Sequence, residues 1–178
     1  MSFLKYSDLG NESFFKASFV NESLGRVTGL ERKVFLSYRH QDKNKVRPVA
    51  EFLKKLGVNI YVDYLDDTLP QPPTITTANA LRSQIQGSDK FMVMATPNST
   101  ESKWIPWELG LGDSCLGHEN CVVLPLVLSD SWTPELYYGL YGYVENKRSL
   151  VAYGISTDNW KVVYANGSSV SLIDWFKK

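Results

Sequence analysis

Lys33-Val-Phe-Leu-Ser-Tyr-Arg-His-Gln-Asp42, Lys43-Asn-Lys-Val-Arg-Pro-Val-Ala-Glu-Phe-Leu-Lys-Lys-Leu56 and Gly57-Val-Asn-Ile-Tyr-Val-Asp63 follow one another without a break, and the pattern changes period twice along them. Val34 to Tyr38 is a short apolar run of strand type. From Asp42 to Leu56 the segment is charged, and its apolar residues Val46, Val49, Ala50, Leu53 and Leu56 recur at helical spacing. Gly57 stands where a C-cap glycine would end that helix. Val58 to Asp63 then reads as a second strand. A strand, a helix and a strand of this size make a crossover unit whose two strands run parallel.

The same alternation continues toward the C-terminus. Leu65 to Thr74 carries Asp66 and Asp67 with Pro70, Pro72 and Pro73, which forbid regular pairing and mark a long, partly stiffened loop. A second helix is expected from about Thr76 to Gln86, with Ala78, Leu81 and Ile85 inward and Gly87 as its stop. Lys90 to Ala95 is an apolar third strand suited to burial on both faces. The Pro97 to Ser102 loop precedes a helix from Trp104 to Cys115, and Cys121 to Leu128 is a fourth strand. Beyond Ser129 the signal weakens. Leu150 to Gly154 is a fifth strand candidate, Trp160 to Tyr164 before Asn166-Gly167 resembles half of a hairpin, and Val170 to Lys178 suits a closing helix. The reading is an α/β fold with a central, mainly parallel sheet of about five strands and helices on both faces. Residues 1–31 mix Asn, Ser and Gly with scattered Phe at no sustained period, so they form an N-terminal arm. The domain then runs over 32–178, with a C-terminal extension from about residue 136.

Composition narrows the function. A chain of 178 residues is the size of one domain, and 19 Lys plus Arg balance 19 Asp plus Glu. No global field favours nucleic acid or an acidic membrane surface, and neither partner is expected. Cys115 and Cys121 form no Cys-x-x-Cys pair, and His40 and His118 lie far apart, so no metal site is expected. No apolar run approaches the roughly 20 residues of a membrane span, and the N-terminus lacks a signal-peptide core. The expected setting is a reducing cytoplasm.

Open parallel sheets bind ligands outside the carboxyl ends of their strands. The loops to inspect are therefore Arg39 to Asp42, Asp63 to Thr74, Thr96 to Trp107 and Ser129 to Pro134. The third holds Glu108 in Ser102-Lys-Trp-Ile-Pro-Trp-Glu-Leu-Gly110, a carboxylate flanked by Trp104 and Trp107. A bland reading fits too, because Pro106 at the first helical position would put Glu108 in a first turn, where an acid suits the helix dipole. Trp104 and Trp107 also suit a core, Tyr38 alternates with Leu36, Arg39 suits a solvated loop, and Asp63 suits a loop cap.

Val34-Phe-Leu-Ser-Tyr-Arg39 resembles the first signature box of Toll/interleukin-1 receptor (TIR) domains. Order and spacing extend the resemblance through Val62-Asp63, Ser88-Asp89 and Ser102-x-Trp104-x-x-x-Glu108, over roughly residues 33–128. It implies the flavodoxin-like TIR fold. Members of this family that cleave NAD carry a glutamate four residues after a tryptophan, as Trp104 and Glu108 do. The resemblance implies Glu108 as the catalytic carboxylate and Tyr38, Arg39, His40, Asp63 and Trp104 as substrate-binding residues, Arg39 at the pyrophosphate. NAD would be the substrate, with no separate cofactor. The proline-bearing loop after the second strand departs from the family's acidic-then-glycine pattern. A short TIR chain of this kind resembles the bacterial antiphage proteins of the Thoeris type. That likeness implies a phage-derived trigger, a cyclic ADP-ribose isomer or related ADP-ribose signal, a separate effector and self-association. The alternatives are an NAD-depleting hydrolase, a non-catalytic TIR adaptor and a nucleoside N-glycosidase.

Overall fold

The computed structural model describes residues 2–9, 32–56, 59–62, 74–129, 131–134, 137–146 and 160–178. Its strands are β1 (Leu4–Lys5), β2 (Lys33–Ser37), β3 (Asn59–Val62), β4 (Lys90–Ala95), β5 (Cys121–Val127), β6 (Gly142–Asn146), β7 (Trp160–Val163) and β8 (Ser169–Ser171). Its α-helices are α1 (Lys43–Lys55), α2 (Ile75–Gln86), α3 (Trp104–Leu116) and α4 (Leu172–Lys177). The sheet order is β3-β2-β4-β5-β6-β7-β8. The five strands from β3 to β6 are parallel, and β7 and β8 close one edge antiparallel. The fifth parallel strand among the described residues is β6, and the strand expected at Leu150 to Gly154 lies outside the described residues. β7 and β8 form the hairpin around Asn166-Gly167, where Gly167 takes φ of 81°.

Burial follows from the alternation of side chains along each strand. Val34, Leu36, Met92, Met94, Val122 and Leu124 face one cluster with Val46, Val49, Phe52 and Leu53 of α1 and Trp175 and Phe176 of α4. Phe35, Phe91, Val93, Cys121 and Val123 face the other, with Leu81 and Ile85 of α2 and Ile105 and Leu109 of α3. Every residue of β4 and β5 is buried, as helices on both faces require. Phe35 and Phe91, opposite each other in the ladder, stack at 5.4 Å. Pro48 lies inside α1, where its missing N–H deprives only the carbonyl of the exposed Asn44.

The arm contributes to the sheet. β1 pairs parallel with the carboxyl end of β5, Leu4 opposite Leu126, and Ser2 bridges to Asn146. Phe3, Leu4 and Leu9 are buried. Among the described residues no helix is long and apolar enough to cross a membrane.

Candidate functional site

The chain leaves β2 in one direction to form β3 and returns past β2 to form β4, so the strand order reverses between β2 and β4. That reversal opens the crevice in which doubly wound sheets bind ligands. Ser37 ends β2 on this rim. Alternation puts it on the same face as Phe35, beneath α3, whereas Tyr38 is buried in the opposite cluster with Leu36, Val46 and Val49.

Glu108 meets Ser37 there. The carboxylate is only 8% exposed, and Ser37 Oγ donates to its Oε2 at 2.5 Å. The helix that carries it starts at Trp104, and Ser102 Oγ accepts the backbone N–H groups of Trp104 at 3.3 Å and Ile105 at 3.2 Å. Pro106 is thus the third helical residue, and no acid lies in the first turn. Glu108 belongs to the second turn, on the buried stripe Ile105, Glu108, Leu109 and Gly112. A carboxylate on a core-facing stripe is not a helix cap. Trp104, one turn before it, is half-buried and packs edge-on to Trp107 at 5.3 Å.

Arg39 follows Tyr38 and reaches over the loop after β4. Its side chain is 22% exposed, with Nη2 at 3.6 Å from Glu101 Oε2 and a buried Nη1 that has no hydrogen-bond partner. His40 is exposed and opens the 3₁₀ turn His40–Asp42. Asp63 lies outside the described residues, as do Gly57 and the proline-bearing loop.

A second buried carboxylate ties the two loops of the crevice together. Asp42, 3% exposed, accepts from Thr96 Oγ1 at 2.5 Å and Asn98 Nδ2 at 2.8 Å. Asp42 stands before α1 like an N-cap, yet makes no side-chain cap bond to that helix. Thr96 and Ser99 bond reciprocally, each backbone N–H donating to the other's hydroxyl at 3.1 Å, and Tyr138 OH donates to Ser99 Oγ at 3.3 Å. The Tyr6 phenol touches the same cluster. Burial and the Asp42 charge raise its proton affinity, against a hydrogen bond with Thr96. Ser37, Asp42, Thr96 and Ser99 were not singled out by sequence. By sequence Ser37 was only the serine of the Val34–Arg39 signature box, with no role of its own.

Beside this network a cleft of about 250 Å³ opens between the ends of β4 and β5, with Thr96, Leu126, Trp132 and Tyr138 among its walls. Glu108 does not line it. Among the described residues no cluster of three or more His, Cys, Asp or Glu is arranged to hold a metal.

Comparison with known proteins shows the family of the chain. The TIR domain family matches residues 34–153. A probable 3' cyclic ADP-D-ribose synthase ThsB' from Bacillus cereus (strain MSX-D12) is 32% identical over 116 residues, 62% of this chain and 59% of that protein. A provisionally named cyclic ADP-D-ribose synthase TIR2 from Cytobacillus dafuensis is 28% identical over 79 residues, 43% of this chain and 21% of that protein. The matches thus span less than two thirds of either relative.

Proposed function

The chain belongs to the TIR domain family, and from that premise we propose that it processes NAD, cleaving the nicotinamide–ribose bond to make a cyclic ADP-ribose isomer or a related ADP-ribose signal in antiphage defence. The observation that carries this reading is the buried Ser37–Glu108 pair at the strand-order reversal. The names of the two relatives point to the same chemistry.

Breaking the bond between the ribose anomeric carbon and the nicotinamide nitrogen builds positive charge on the ribose. The electron pair leaves with nicotinamide, whose ring nitrogen becomes neutral. A carboxylate fixed in a water-poor setting stabilises that developing cation more than it stabilises the ground state. Glu108 is so placed, and the hydroxyl of Ser37 holds its Oε2 in one orientation. Trp104, on the same side one turn earlier, offers a flat apolar face to the nicotinamide or ribose. Arg39 meets the pyrophosphate with paired N–H donors, and His40 lies beside it. Tyr38 packs in the core on the opposite face of the sheet and so stays outside the pocket, and Asp63 belongs to the pocket floor in this reading. The captor of the cation sets the product: water gives ADP-ribose, and a nucleophile of the same molecule, such as an adenine nitrogen, closes a ring.

The test is chromatography with mass detection of products from NAD, using concentrated protein with and without phage-infected lysate, beside Glu108→Gln. Concentrated protein is used because self-association is part of the proposal, as are a phage-derived trigger and a separate effector. The expected outcome is a new ADP-ribose species whose rate of formation falls about a hundredfold or more in the variant. Absence of turnover under every condition, with both proteins folded, would move the assignment to a non-catalytic TIR adaptor.

A further inference from the structure

Arg39 as an anion-binding residue, a role that rests on the function proposed above, leaves one neighbouring charge without a purpose. Glu101 is 75% exposed and holds Arg39 through one contact, Oε2 to Nη2 at 3.6 Å, while the buried Nη1 of the same guanidinium has no partner. A guanidinium offers five N–H donors and binds best in a two-point fork. Here Nη2 meets an exposed carboxylate, and Nη1 is buried with no hydrogen-bond partner among the described residues.

The backbone that carries Glu101 is held firmly. It ends the 3₁₀ turn Ser99–Glu101, whose N–H of Glu101 donates to Asn98 O at 3.3 Å. Ser102 N–H donates to Ser99 O at 3.0 Å, and Thr96 and Asn98 are bonded to Asp42. Only the exposed side chain of Glu101 is at liberty to swing into solvent. An exposed ion pair contributes little and is cheap to break.

We propose that Glu101 is a resident stand-in for the substrate's diphosphate, held at Nη2 of Arg39 until a ligand with paired phosphoryl oxygens displaces it and the guanidinium turns to present both nitrogens. The contact holds Nη2 at the loop after β4. It also disfavours ligands without such a group, since these gain too little at Arg39 to replace a charge already there. Glu101 is thus a specificity-determining residue that acts through Arg39.

Calorimetric titration of the full chain with inorganic pyrophosphate tests this on four proteins: wild type, Glu101→Gln, Arg39→Gln and the double variant. The exposure of Glu101 makes its substitution safe for folding. The expected result is about two- to fivefold tighter binding in Glu101→Gln, the range open to an exposed pair. Arg39→Gln should bind more weakly, and Glu101→Gln should add nothing in its presence. Unchanged or weaker binding in Glu101→Gln would overturn the inference, as would an equal gain without Arg39, which would mean plain charge repulsion. Failure of all four proteins to bind pyrophosphate would also overturn it. NAD turnover is scored separately, so turnover without the pyrophosphate effect sinks only this inference, and the effect without turnover sinks only the enzymatic reading.

Discussion

Two carboxylates, Asp42 and Glu108, are buried where β2 and β4 end, and their partners separate their roles. Asp42 is spent on the loop after β4, through Thr96 and Asn98. Glu108 faces the rim of β2 through Ser37. The cysteines divide in a similar way. Cys115 is exposed, whereas Cys121 is buried on β5, and burial, followed by the charges of Asp113 and Glu119, pushes its thiol up to about 12. The folded value lies above the ordinary 9.0, so the native state keeps a proton that the unfolded chain gives up. This contribution to stability is complete below about pH 9 and is lost as the pH rises toward 12. Native protein at pH 8 should therefore react with one equivalent of Ellman's reagent, and the second thiol should appear only in denaturant. Two fast equivalents would contradict the burial of Cys121. At this scale the sequence was legible where a charge stood out of pattern, as Glu108 did four residues after Trp104. Ser37 was not, because a hydroxyl in a strand has no period of its own. Asp42 read as the start of a helix because its partners are 54 and 56 residues away.

Among the elements, α3 carries the candidate carboxylate, and its distance from the sheet is set by a glycine. A Cβ on Gly112 would lie 2.8 Å from Cγ and Cδ2 of Phe91. Phe91 is fully buried and stacked on Phe35, so its ring has nowhere to go. Gly110, two residues earlier, would place a Cβ in open space. Alanine in a helix interior is favoured over glycine by about 1 kcal/mol, but overpacking a core costs about 1–3 kcal/mol. Gly110→Ala should therefore raise the urea midpoint. Gly112→Ala should lower it and reduce NAD turnover, because α3 must lift and carry Glu108 off Ser37. Equal effects of the two substitutions would remove Gly112 as the spacer. Elements between residues 33 and 128 were legible because each buries one face or both and so shows a clean period. β6 was not: Glu145 and Asn146 are buried in it, at 3% exposure each, so the run shows no apolar period. Gly142 begins it because a Cβ there would lie 2.8 Å from Val162.

For the whole molecule, the N-terminal residues tie the candidate site to the far side of the sheet. A two-residue strand has too little pattern to register in the sequence. In the fold, Phe3 packs against Trp132 at 5.8 Å and Tyr143 at 6.2 Å, β1 extends β5, and Tyr6 reaches the Asp42–Thr96 cluster. Phe3, Leu4 and Leu9 are at most 7% exposed. Burying side chains of this kind is worth about 1.5–3 kcal/mol each. Their sum is a large part of the roughly 5–15 kcal/mol that holds a domain together. Removing residues 1–9 should then leave a chain that melts well below the full protein or does not fold. Phe3→Ala is the milder form of the test, since a buried Phe→Ala change costs about 3–5 kcal/mol. At about 2–4 °C per kcal/mol for a chain of this size, its melting temperature should drop by at least about 6 °C. A drop under about 2 °C for either variant would make the segment an appendage. A larger drop, with NAD turnover lost well below the new melting temperature, would place the arm among the parts that hold the loop after β4 in register.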